Sequence, residues 1–167
     1  MDEPGASAAP RTYNGVAILA SSPPADAVHG IPTLADDQKR VIAATVAGVR
    51  IVDVYVPNGQ TLDSPKYPYE LAWLESLRQY LVAELERHPR LVVLGDYNVA
   101  PEDRDVHHPK AWEGSVHVSP PERAALRALL TVGLVDCFRR FEQPERSIHG
   151  GTTARWPSGG ITGCGST

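Results

Sequence analysis

Apolar residues along this chain gather in short β-branched runs, broken by one long stretch in which they recur every three or four positions. The runs at 15–20, 41–46 and 49–56 have the length and Val/Ile content of strands, and Gly48 between the last two predicts a hairpin turn. Between Lys66 and His88 the residues Leu71, Leu74, Leu77, Leu81 and Leu85 form one helical stripe, and Pro89 ends it. A bounded apolar run follows at 91–94, which reads as a strand buried on both faces and closes in Gly95-Asp96. Residues 121–130 predict a second helix, with Pro at its start and Gly133 beyond its end. Strands alternating with helices in this order make the class α/β with a mixed sheet.

The ends of the chain break the pattern. Residues 1–12 (MDEPGASAAPRT) are small, contain Pro and lack periodicity, and are expected to form a disordered arm. After Ser147 the text turns rich in Gly, Ser and Thr with no apolar period, so 147–167 reads as an aberrant tail and 13–146 as the folded part.

Composition narrows the setting more than the function. The 167 residues suit one domain, and no apolar run is long enough for a membrane-spanning helix. A formal net charge of −4, from 16 basic and 20 acidic residues, excludes a wholesale basic coat for nucleic acid but not a local phosphate-binding face. Two cysteines, Cys137 and Cys164, without CxxC spacing, and an acidic start point to a cytoplasmic protein with neither disulfide framework nor zinc site.

Chemistry is concentrated after two strands. Asp96 and Asn98 lie just past the run at 91–94, where α/β sheets present polar groups to a crevice. A carboxylate there can orient or deprotonate a water, and a neutral amide can donate to a phosphoryl oxygen without adding negative charge. The alternative is that Gly-Asp-Tyr-Asn is simply a turn. Tyr55 runs into Pro57-Asn58-Gly59, which would set a phenol and the Asn58 amide at the same sheet edge; the alternative for Tyr55 is a half-buried core position. His107 and His108 diverge as neighbours and lack a third ligand, so they read as a solvent loop. Cys137 and Trp73 read as core, and Trp112 as either a cover for the sheet edge or a stacking surface for a base.

Taken in order, Tyr13-Asn-Gly-Val-Ala-Ile-Leu, Val54-Tyr-Val-Pro-Asn-Gly-Gln60, Leu94-Gly-Asp-Tyr-Asn-Val-Ala-Pro101, Trp112, Ser119-Pro-Pro-Glu-Arg123 and Gly133-Leu-Val-Asp-Cys-Phe138 resemble bacterial exonuclease III, in the endonuclease/exonuclease/phosphatase superfamily. The resemblance implies a partial deoxyribonuclease I-like four-layer α/β sandwich with mixed β-sheets. It implies catalytic roles for Tyr55 near the scissile phosphate, Asp96 as activator of the attacking water and Asn98 as a phosphate-contacting amide. Asn58, Tyr13 and Asn14 would bind substrate. The implied reaction is Mg²⁺-dependent (or Mn²⁺-dependent) cleavage of double-stranded DNA at abasic sites and from 3′ ends, by a monomer.

Several family elements have no counterpart. No Gln-Glu segment supplies the principal metal-binding Glu, which leaves Asp96 as a candidate ligand, and neither the Arg-Ile-Asp segment nor the Ser-Asp-His triplet occurs. Re-reading the codons for 148–167 one base out of register permits Ser-Trp-Trp-Asp-Tyr-Arg and a family-like continuation, so a frameshift after Ser147 is expected. The chain as it stands is expected to be inactive. The alternatives are a non-catalytic remnant or weak DNA-binding module, and a hydrolase for a small phosphodiester.

Overall fold

The computed structural model describes residues 5–8 and 15–142. Tyr13, Asn14 and the tail at 147–167 therefore lie outside the described residues. Six strands are present among the described residues, β1 (Gly5–Ala8), β2 (Val16–Leu19), β3 (Ala25–His29), β4 (Val41–Val46), β5 (Val49–Tyr55) and β6 (Leu91–Asp96), with helices α1 (Lys66–Arg87), α2 (Pro109–Trp112) and α3 (Pro120–Leu130).

The main sheet has the order β3-β4-β5-β6. β3, β4 and β5 run antiparallel in succession, and β6 joins β5 in parallel, so the sheet is mixed as expected. The predicted hairpin closes at Val46↔Val49, with Ala47 at φ 49° and Gly48 at φ 75°. Two successive left-handed residues make the tight turn whose twist matches a β-hairpin. The parallel pair needs a crossover, and α1 provides it.

α1 lays Trp73, Leu74, Leu77 and Leu81 against Val52, Val54, Val41 and Val93 of the sheet, and α3 adds Leu126 and Leu129. Each such side chain contributes roughly 1.5–3 kcal/mol by leaving water, so this face carries most of the fold's stability. The buried stripe differs slightly from the leucine pattern: Leu71 and Leu85 are half-buried, whereas Glu70 and Glu84 are fully inside. Glu84 is satisfied by Arg50, whose Nε lies 2.6 Å from Oε2 with both side chains 2% exposed. Arg50 also donates to the Asp26 carbonyl at 2.7 Å and so ties β5, α1 and the start of β3 together.

On the opposite face β1 and β2 pair with each other, and Val16 and Ile18 pack on Ile42 and Ala44. This corrects two readings of the sequence. Gly5–Ala8 is a strand where an arm was expected, because pairing by backbone groups needs no side-chain period. The strand buried on both faces is β4, over Val41 to Ala44, and not β6. Among the described residues β6 forms the sheet edge, and its Val92 and Leu94 remain half-buried. The strand β3 was not anticipated; it is exposed at four of five positions and is held by its backbone bonds to β4.

Candidate active site

The C-terminal ends of β5 and β6 lie side by side. Tyr55 and Asp96 are register partners in the parallel pair, so their side chains leave the same face of the sheet. The pairing continues one step further, where the Val56 N–H donates to the Asp96 carbonyl at 2.9 Å. Gly95 makes this approach possible. Its φ is +124°, and a Cβ there would fall 1.8 Å from the Val54 carbonyl oxygen.

Beyond β6 the chain reverses in a turn closed by its own side chain: the Asn98 N–H donates to Asp96 Oδ1 at 2.9 Å. Asn98 sits at φ 50°, a left-handed conformation that Asn tolerates, and its amide donates to the Val56 carbonyl at 2.8 Å. Gly-Asp-Tyr-Asn is thus a turn, and the turn leaves the Asp96 carboxylate exposed at the crevice edge while crosslinking the two strands. Tyr55 is half-buried and packs beside the β1–β2 cluster. Arg40 holds it from behind, with the guanidinium 5.0 Å from the ring centroid and Nη1 donating to the Tyr55 carbonyl at 3.2 Å.

Asn58 and Asn98 are joined by a residue that the sequence reading did not single out. His117 Nδ1 bonds the Asn98 carbonyl, and Nε2 lies 3.3 Å from Asn58 Nδ2. The Asn98 carbonyl can only accept, so Nδ1 carries the proton and neutral Nε2 accepts from the amide. Asn58 Oδ1 accepts from the Gln60 N–H at 2.8 Å, which fixes the amide's orientation. The indole of Trp112 stands 6.2 Å from the imidazole, centroid to centroid, half-buried at the edge of this group. His117 has φ 70° and precedes the Ser119–Glu122 capping box of α3. That capping box was the available sequence signal: a polar residue just before a fixed helix start is held in place. His107 and His108 are exposed, as expected of a solvent loop.

Tyr55, Asn58, Asp96 and Asn98 therefore come together at one sheet edge, whereas Tyr13 and Asn14 lie outside the described residues. The group offers a carboxylate acceptor, a phenol and amide donors, a set suited to an anionic ester and a water. It does not suit a tightly held divalent cation. Mg²⁺ wants about six oxygens in near-octahedral array, and among the described residues no three His, Cys, Asp or Glu side chains are placed to hold a metal. Asp96 alone is insufficient. No helix among the described residues is long and apolar enough to cross a membrane.

The profile of the endonuclease/exonuclease/phosphatase family matches residues 3–166. The exodeoxyribonuclease of Bacillus subtilis (strain 168) is 33% identical over 128 residues, which make up 76% of this chain and 50% of that protein. The 3′-5′ exonuclease NExo from Neisseria meningitidis superposes with a TM-score of 0.81 at 45% identity, covering 83% of this chain and 54% of that one. An AP endonuclease from Archaeoglobus fulgidus gives a TM-score of 0.84 at 33% identity, covering 96% of this chain and 66% of that one. The chain spans about half the length of the curated relatives it matches. With the mixed sheet, the ordered motifs and these likenesses in agreement, the chain belongs to the endonuclease/exonuclease/phosphatase family, as a member of exonuclease III type.

Proposed function

We propose that the ends of β5 and β6 form part of the active site of a DNA repair nuclease that cleaves the backbone at abasic sites and removes nucleotides from 3′ ends. In this reading Asp96 accepts the proton of the attacking water, and Tyr55 faces the scissile phosphate. Asn98 and Asn58 contact non-bridging oxygens, with Tyr13 and Asn14 as further substrate contacts. The family's metal, Mg²⁺ or Mn²⁺, would need ligands beyond Asp96; the partner is double-stranded DNA, and the protein acts as a cytoplasmic monomer. The observation that carries this reading is the Asp96 turn, which holds an exposed carboxylate beside Tyr55 at the edge where His117 links the Asn58 amide to the Asn98 backbone carbonyl. Among the described residues no three acidic or imidazole side chains are placed to retain the cation, which makes this part of the site a poor catalyst by itself.

A duplex carrying a synthetic abasic site tests the reading, with a small diester as control and Mg²⁺ varied. The expected result is trace Mg²⁺-dependent nicking at high protein concentration and no hydrolysis of the small diester. Preference for the small diester would replace the DNA substrate by a small one. Binding of the duplex without any nicking would leave a DNA-binding module. Calorimetry should find no saturable Mg²⁺ binding below the millimolar range; tight binding that disappears in Asp96→Ala would overturn the metal argument.

A further inference from the structure

Glu70 is a buried acid that the site described above leaves unused. It lies on α1 with no exposed surface, and neither carboxyl oxygen has a hydrogen-bond partner at bonding geometry. Gly59 lies directly over it, so close that a Cβ there would come 2.4 Å from Oε2. Its neighbour on α3 is Glu122, equally buried and near enough for a charge interaction and a carboxyl–carboxylate hydrogen bond. Glu122 Oε1 accepts from the His117 N–H at 2.8 Å, and Oε2 accepts from the Ser119 N–H at 2.9 Å. The Tyr67 hydroxyl closes the same wall by a 2.7 Å bond to Ser119 Oγ.

Among the described residues no cation is paired with either acid. Arg123, one residue beyond Glu122, is engaged by the Ala100 carbonyl and Asp103, and Lys66 at the start of α1 is exposed. Two carboxylates cannot both remain charged at such a place. Glu122 already accepts two backbone N–H bonds, which favours its charged form. Burial, and then the neighbouring Glu122 charge, push the Glu70 carboxyl up to about 8, against a smaller opposing pull from the Gly59 N–H.

From this arrangement we infer that Glu70 is a protonated positioning residue, whose O–H donates to the Glu122 carboxylate and clasps the Asn58–Gly59 turn against the His117 segment. The proton supplies a bond of full geometry, which the Gly59 N–H does not make. Losing it places two like charges in contact and drives the turn and the segment apart, which breaks the Asn58–His117 contact. The bearing of this clasp on catalysis rests on the nuclease reading, whereas the location of the proton does not.

The folded protein holds this proton above the pH at which an unfolded Glu, with its ordinary value of 4.5, releases it. Stability from the clasp is therefore complete below the unfolded value, declines as pH rises and is gone above about 8. Melting temperatures of the full chain, of Glu70→Gln and of Glu122→Gln between about pH 5 and pH 9 test it without any assay of activity. Glu70→Gln mimics the protonated acid and should flatten the alkaline decline, melting above the parent at the alkaline end. Glu122→Gln should melt lower at every pH, because its NH₂ must then face one of two backbone donors. A parental slope in Glu70→Gln, or tolerance of Glu122→Gln, overturns the proposal. Should Glu70→Gln not fold, carboxyl ¹³C titration of the unaltered chain decides. One glutamate titrating far above the others is expected, and all titrating in the ordinary range would refute the clasp. A negative nuclease assay leaves each of these outcomes intact.

Discussion

Asp96 is held by its own chain, since its Oδ1 accepts the Asn98 N–H while the carboxylate stays exposed. Asp96→Asn retains an oxygen for that bond, so its melting temperature should match the parent. Its nicking of abasic duplex should fall by about 100-fold or more, to below detection, because an amide cannot take the water's proton. Unchanged nicking with unchanged melting would return Asp96 to a purely structural turn. Asp96 and Asn98 were legible in the sequence because their motif is local, two polar residues spaced to close one turn after a buried run. His117 was not, since its meaning lies in a contact with Asn58 across 59 positions. Arg40 and Glu70 escaped for a related reason. One stacks on a strand end and the other lies under a glycine, and neither relation leaves a period in the chain.

At the scale of elements, the buried pair between Arg50 and Glu84 decides how α1 seats on the sheet. Glu84 also receives Arg87 at 2.7 Å, and Arg50 reaches the Asp26 carbonyl, so three elements meet at one carboxylate. Glu84→Ala leaves a buried guanidinium without its counter-charge and should cost roughly 3–5 kcal/mol in urea unfolding. Replacing both partners together, as Arg50→Met with Glu84→Leu, should cost far less, since no charge is then stranded. Equal losses in the two variants would show that packing, not charge, dominates there. The helix itself was legible from its leucines, and the hairpin from Gly48. The pair was not, because Glu84 and Arg50 look like solvated positions until the strand and helix are brought together. β1 and β3 were missed because backbone pairing at an edge demands no alternation of apolar residues.

For the molecule as a whole, the arrangement of layers follows from which faces are apolar, and this much the sequence pattern carried. It did not carry the edge position of β6, since a run such as Leu91-Val-Val-Leu94 looks the same at an edge as in the middle of a sheet. That edge strand has a consequence for the time at which the site comes into being. β4 and β5 meet through a two-residue turn, a local event on the order of microseconds, whereas β6 reaches β5 only after all of α1 has intervened. Closing so long a connection is the slower step in chain entropy. Conservative truncations such as Ile42→Val on β4 should therefore slow refolding in proportion to the stability lost, while Val93→Ala on β6 should mainly hasten unfolding. Stopped-flow kinetics giving the reverse assignment would place the parallel pair in the folding nucleus. A nascent chain halted before Leu91 would thus carry Tyr55 and Asn58 without Asp96, Asn98 or His117, and the group at this edge comes together only when β6 and the segments after it arrive.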